Sequence, residues 1–213
     1  MTKILPTVLA TTKEEFRAKF ENQPVRTLAD VWQIDVLDGS RFERTSFADP
    51  DALRTLSSLP DLELHFMVGN PLPLIDEWIK NPCVIGAVVH TDIPALKETV
   101  DAIANKGLRT GVAIEIDTPL SVLKPLEDNL GMILVMGVHP GASGQPFLGN
   151  NVFEKIRVLQ TEFPRIRIGV DGGITRDIAK KLMDLGVAEL CIGSGIWDAE
   201  NPAEALRAFQ NIL

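Results

Sequence analysis

The chain reads as a single-domain (β/α)8 barrel spanning residues 1–213, and three observations predict it. Eight short apolar runs alternate with amphipathic stretches, and 213 residues divided by eight is about 26 per unit, a βα unit with its connections. The runs are apolar on nearly every residue instead of alternating, as strands of a parallel sheet covered on both faces are. Charged and polar residues collect where these runs end, on the rim where barrels of this kind carry their chemistry. The rival, a doubly wound open sheet, usually opens with a glycine-rich phosphate turn. The first turn here, Ala10-Thr11-Thr12, has no glycine.

In chain order the strands are expected at 3–9, 31–37, 63–68, 84–90, 109–116, 132–138, 165–170 and 189–192, with roughly eight helices between them. Thr12 followed by Glu15 has the spacing of a capping box, so a helix is expected to begin there. A helical period runs through 94–104, 152–160 and 177–185. Gly107, Gly131 and Gly186 stand where C-cap glycines belong, and Pro202 where the last helix begins.

Composition narrows the partners. Apolar residues make up 45% and charged residues 23%, an ordinary globular balance. The net charge is 21 − 29 = −8, with a pI near 4.9. Such a field repels phosphate backbones and anionic lipid, so neither nucleic acid nor a membrane surface is expected as a partner. No apolar stretch approaches the roughly 18 residues of a membrane span, and the apolar run before Thr11-Thr12-Lys13 is too short for a signal core. Cys83 and Cys191 both sit in apolar runs, which predicts buried free thiols and a reducing, cytoplasmic setting.

The polar residues point to a site. The three histidines, His65, His90 and His139, all fall at or near strand ends, as do Thr7, Asp35, Asp38, Glu115 and Asp171. A single strand-end histidine is commonly structural, and Asp before glycine is ordinary turn chemistry. Convergence of all of these on one rim is what argues for a site. Asp171-Gly172-Gly173 follows the seventh strand and Gly193-Ser194-Gly195 the eighth. Backbone N–H groups at those two places form the usual phosphate site of such barrels, which suits an acidic protein because no lysine is required. The loop His139-Pro140-Gly141-Ala142-Ser143-Gly144-Gln145 opens onto the same rim and reads as a lid.

With these residues assembled, the chain resembles the ribulose-phosphate 3-epimerase family from Pro6 to about Ile196. Leu5-Pro6-Thr7-Val8-Leu9, Ile34-Asp35-Val36-Leu37-Asp38-Gly39 and Leu64-His65-Phe66-Met67-Val68 carry the resemblance, with Leu134-Val135-Met136, Pro140-Gly141, Gly144-Gln145, Val170-Asp171-Gly172-Gly173 and Gly193-Ser194. It implies an isomerase of carbohydrate metabolism, in the pentose phosphate pathway, acting on a small phosphorylated ketose. Asp35 and Asp171 match the two acids that move the C3 proton. The family's divalent metal (zinc, iron or manganese) stabilises the enediolate, held by two histidines and the same two aspartates, and His65 matches one histidine. Thr7, His65, Gly141, Gly144, Gly172, Gly173, Gly193 and Ser194 match substrate and phosphate contacts. Met67 and Met136 match methionines around the enediolate, although core packing accounts for them equally well; the third such position is Leu37. Relatives assemble, so a homo-oligomer is expected.

The departures cluster on the rim. Gln33 stands at the family's other ligand histidine, and a carboxamide oxygen is a much weaker ligand for these metals than imidazole. Ser40-Arg41-Phe42-Glu43-Arg44-Thr45-Ser46 replaces a His-Phe-Val-Pro-Asn-like run, Glu115-Ile116-Asp117 a Lys/Asn-Pro pattern, and His139 an Asn or Glu. Three readings are open from sequence: an epimerase tolerating Gln33, a related ketose-phosphate epimerase or isomerase in which His90 or His139 helps hold the oxyanion, and a non-catalytic phosphosugar-binding barrel.

Overall fold

The computed structural model describes residues 2–140 and 144–212. Eight parallel strands close on themselves in sequence order: β1 (Lys3–Val8), β2 (Val31–Val36), β3 (Asp61–Phe66), β4 (Val84–His90), β5 (Arg109–Ile114), β6 (Met132–Met136), β7 (Arg167–Asp171) and β8 (Glu189–Ile192). Closure is made by β1 on β8, with Lys3 beside Glu189 and Leu5 beside Cys191. Expected and observed strands coincide to within two residues at each end.

Eight α-helices are present among the described residues: α1 (Lys13–Glu21), α2 (Gln23–Arg26), α3 (Leu72–Trp78), α4 (Leu96–Asn105), α5 (Asn150–Glu162), α6 (Arg176–Asp184), α7 (Ser194–Trp197) and α8 (Pro202–Gln210). Their distribution differs from strict alternation. The β2–β3 connection holds only the 3₁₀ turn Pro50–Leu53, and the β5–β6 connection only Leu120–Val122 and Lys124–Asn129, also 3₁₀. Pro119 and Pro125 remove N–H donors in that second connection, so no full α-helical ladder can run through it. The short α2 and α7 are extra turns beside α1 and α8.

The capping signals hold at both ends of several helices. Thr12 Oγ1 accepts from Glu15 N at 3.1 Å while the Glu15 carboxylate accepts from Thr11 N at 2.8 Å. Pro202 opens α8, and Gly107 and Gly186 adopt the left-handed conformation after α4 and α6. Gly131 departs from expectation: it follows a 3₁₀ turn and is not left-handed. Its Cα faces the Thr110 carbonyl, which an added Cβ would meet at 3.3 Å, so it is small because β5 runs close by.

Two apolar layers result. The larger lies between the sheet and the helices and includes Phe16, Phe20, Trp32 and Trp78. The smaller fills the barrel with Leu5, Val31, Val88, Ala113, Met132, Leu134, Met136 and Cys191. Both cysteines are free and Cys191 is buried, but Cys83 is partly exposed, because it lies in the turn that precedes β4 instead of in the strand. Trp197 on α7 packs against Trp32 with ring centres 5.4 Å apart and planes tilted by 60°, and donates from Nε1 to the Thr7 carbonyl at 2.8 Å, fixing the β8 exit against β1.

Candidate active site

On β2, Gln33 and Asp35 are two residues apart, so both point into the barrel. Register places Asp35 beside His65 of β3, and Asp171 ends β7 beside Met136 and Cys191. These side chains meet at the C-terminal mouth. His65 Nδ1 lies 3.2 Å from Asp35 Oδ1 and 3.2 Å from Asp171 Oδ2. Gln33 Nε2 donates to the same two oxygens at 3.0 and 2.9 Å. Both aspartates are buried but for 8% and 7% of their surface, and Gln33, His65 and His90 are fully enclosed.

The electrostatics follow from this crowding. Burial and the charge on Asp171 raise the Asp35 carboxyl, against the hydrogen bonds from His65 and Gln33. Burial alone would lower His65, but its hydrogen bonds to Asp171 and Asp35 prevail and hold it up to about 9. His90 is pushed well down by burial, by His65 and by Arg41. The two imidazoles stack at 5.0 Å with Nε2 atoms 2.9 Å apart. A protonated His65 beside a neutral His90 makes His65 Nε2–H the donor and His90 Nε2 the acceptor. Two adjacent buried carboxylates need a positive charge between them. A proton on His65, held up to about 9, would supply it.

A divalent cation would supply the same charge. Asp35, His65 and Asp171 each offer a ligand atom within 4.8 Å of the others, all three buried. Two carboxylate oxygens and an imidazole nitrogen fit zinc, iron or manganese. Gln33 turns its amide nitrogen to this point, and its Oε1 is buried without a partner among the described residues.

A cavity of about 560 Å³ opens above the aspartates, lined by Thr7, Asp35, Met67, Met136, Asp171 and the segments around Gly144, Gly172, Gly173, Gly193 and Ser194. Gly172 and Gly173 have φ of +98° and +67°, and a Cβ on either would strike Val138 or the backbone of Phe147. No backbone bond of turn, loop or cap type engages the N–H of Gly172, Gly173 or Ser194 among the described residues. Gly141, with Ala142 and Ser143 of the expected lid, lies outside the described residues. His139 does not join the site: it is exposed and lines a separate hollow with Glu115, Asp117 and Asn151. Phe147 and Cys191 are cavity residues that no sequence signal singled out.

Fold and site together define a (β/α)8 barrel with a buried Asp–His–Asp group at the floor of a cavity in its C-terminal mouth. A model of the ribulose-phosphate 3 epimerase family matches residues 3–197, and the chain belongs to that family. It is 29% identical to the cytoplasmic isoform of ribulose-phosphate 3-epimerase from Oryza sativa over 98% of this chain and 92% of that protein. The chloroplastic ribulose-5-phosphate-3-epimerase of Arabidopsis thaliana is 33% identical, over 85% of this chain and 66% of its own length. Among solved structures, 3-hexulose-6-phosphate synthase from Salmonella typhimurium superposes with a TM-score of 0.74 at 19% identity, covering 100% of this chain and 98% of that one. KGPDC from Streptococcus mutans gives 0.73 at 15%, covering 100% and 97%; both share the fold. The chain is therefore an isomerase of the sugar-phosphate epimerase kind, from a family that acts on phosphorylated ketoses. Among the described residues no helix is long and apolar enough to cross a membrane.

Proposed function

We propose that the protein interconverts D-ribulose 5-phosphate and D-xylulose 5-phosphate by proton transfer at C3. The observation that carries this reading is the pair Asp35 and Asp171, brought from β2 and β7 to the floor of one cavity and bridged by His65 and Gln33. One carboxylate removes the C3 proton, and the other returns a proton to the opposite face. The C2 carbonyl takes up the charge between the two steps. Burial raises Asp35 toward neutrality, which fits a general base. Asp35, His65 and Asp171 would hold the divalent metal, which when bound supplies a Lewis acid for the carbonyl oxygen. The His90 ring accepts from His65 Nε2–H and keeps Nδ1 turned to the aspartates, a support that ligand imidazoles commonly have.

The phosphate would rest on the N–H groups of Gly172, Gly173 and Ser194, with Thr7 at the near edge, while Met67 and Met136 give the reacting carbons an apolar, water-poor wall. A cytoplasmic location fits the two free cysteines and the cytoplasmic rice relative, and a homo-oligomer is the assembly we expect from the family.

The test is incubation with ribulose 5-phosphate in deuterated water. Formation of xylulose 5-phosphate with deuterium at C3, suppressed by a chelator and restored by added metal, is the expected result. Full activity after metal removal would overturn the metal's part, and absence of exchange at C3 would overturn the proposal itself.

A further inference from the structure

The rewritten loop after β2 is strapped across the far side of the mouth. Ser46 Oγ donates to the Asp35 carbonyl at 2.9 Å and accepts from Leu37 N at 2.9 Å, pinning the loop's end to β2. Ser40 Oγ accepts from Gly69 N at 2.8 Å, tying the loop to the β3 exit. Arg41 makes the longest tie. Its Nε and Nη2 grip Asp92 beyond β4 at 2.9 and 2.8 Å, and Nη2 reaches Glu115 beyond β5 at 3.0 Å. Only 10% of its side chain is exposed. The guanidinium lies 4.7 Å from the Phe42 ring centre, and the Phe42 ring meets His90 edge-on at 6.3 Å. Phe42 is thereby held against the His90 ring.

Barrel order gives this position a meaning. In a closed ring of eight, β3 stands opposite β7 and β4 opposite β8. A ketose phosphate anchored at the β7 and β8 glycines, with its reacting carbon between Asp35 and Asp171, directs its remaining end toward β3 and β4. In a 2-ketose that end is the C1 hydroxymethyl group, whatever the chain length on the phosphate side. We propose that Phe42 is the end wall that meets C1, and that Arg41 is the positioning residue that holds it there. Together they make the site specific for ketose phosphates carrying nothing larger than hydroxymethyl beyond the carbonyl. This rests on the epimerase reading above and adds a specificity determinant to it. Arg41 acts as a strap and not as an anion site, since Asp92 and Glu115 already exceed its charge.

The probe is a hexose phosphate with its carbonyl at C3 and its phosphate at C6. It matches ribulose 5-phosphate from carbonyl to phosphate and is one carbon longer at the other end. Solvent deuterium exchange next to the carbonyl, on the phosphate side, is measured for both sugars. Phe42→Ala should raise the ratio of kcat/KM for the longer sugar over ribulose 5-phosphate about tenfold or more, the usual weight of one carbon in a fitted pocket. Arg41→Ala should shift the ratio in the same direction, and the double variant should add little to Phe42→Ala, because Arg41 works through the ring. Arg41→Lys, which keeps the charge without the fork, should fall between Arg41→Ala and wild type. Asp92→Asn changes an exposed partner, leaves the fold intact and should reproduce part of the Arg41→Ala shift. A ratio within twofold of wild type in Phe42→Ala and Arg41→Ala, with wild type active on ribulose 5-phosphate, would overturn the wall alone. No exchange by wild type on ribulose 5-phosphate would overturn the epimerase reading and take the wall with it.

Discussion

At the N-terminal end of the barrel Glu63 and Glu189 are buried to within 1% and 2% of complete enclosure, and at the C-terminal end Asp35 and Asp171 are nearly as enclosed. The lower acids are met by arginines: Arg167 reaches Glu189 at 2.9 Å, while Arg109 lies 3.8 Å from Glu63 and 3.9 Å from Glu189. Among the described residues no arginine pairs with the upper acids; Arg41, on the same rim, is spent on Asp92 and Glu115. They share instead an imidazole, an amide and an open cavity. A buried carboxylate pair thus becomes a reactive site or a structural plug according to its counter-charge. A guanidinium cannot lose its proton and seals the pair, whereas His65 can give up its proton and turn the freed nitrogen to a metal ion. The lower network is also imperfect: Glu63 Oε1 and Glu189 Oε2 have no partner among the described residues, and Glu63 is raised to about 7 by burial and by Glu189.

Substitution breaks this contrast most sharply at the upper pair. Asp35→Asn and Asp171→Asn should each lower C3 exchange by about 10²–10⁴-fold, the usual share of acid–base catalysis, with melting temperatures unchanged or raised. Glu63→Gln, equally buried but on the plugged end, should leave exchange within a few-fold of wild type. Loss of activity in both would mean that the two ends do not divide the work as described.

The proposed phosphate cradle comes next. Gly193 has ordinary φ, and a Cβ there would lie 3.7 Å from its nearest neighbour, the Thr7 carbonyl. Gly193→Val should therefore fold normally yet raise KM roughly tenfold to a hundredfold, the weight of one or two charge-assisted hydrogen bonds. Gly172→Val is a poorer test, because its Cβ would strike Val138 at 2.4 Å. A Gly193→Val enzyme with unchanged KM would move the phosphate elsewhere.

The counter-charge itself can be sharpened. Gln33→His places an imidazole where the amide nitrogen now faces both carboxylates, and should tighten metal binding about tenfold, read by competition with a chelating dye. Unchanged affinity would show that Gln33 does not contact the metal position.

The smallest effect belongs to the lower end. Glu63 binds its proton more tightly folded, at about 7, than its ordinary 4.5, so the folded chain carries more protons between those values. Stability from this group is therefore lost as pH rises through that window, about 1 kcal/mol of it between pH 6 and pH 8. Urea unfolding of wild type and Glu63→Gln at the two pH values should show a loss of stability about 1 kcal/mol smaller in the variant, the titration of the histidines being common to both.

The barrel was legible because its signals are local. Continuous apolar runs, the Thr12–Glu15 cap and the left-handed glycines at 107 and 186 each need only a few neighbouring residues to act. The β5–β6 connection was harder, since Pro119 and Pro125 turn an amphipathic stretch into 3₁₀ turns whose lengths propensity does not specify. Asp35, His65, Asp171 and the paired glycines were also readable, as strand-end residues on a rim that the fold makes common. The rim misled at His139 and Glu115, which follow strands as the site residues do yet line a separate hollow.

What the amino-acid order determined by itself, then, was the number of strands, their burial on both faces and the set of groups reaching the C-terminal mouth. Only tertiary structure decided which groups hydrogen-bond one another, that Gln33 offers nitrogen instead of oxygen, that Arg41 ties down Phe42, and that Glu63 and Glu189 form a buried pair met by arginines. Hydrogen-bond partners lie up to 138 residues apart at the site, as between Gln33 and Asp171, and their distances are set by closure of the ring and not by any interaction along the chain.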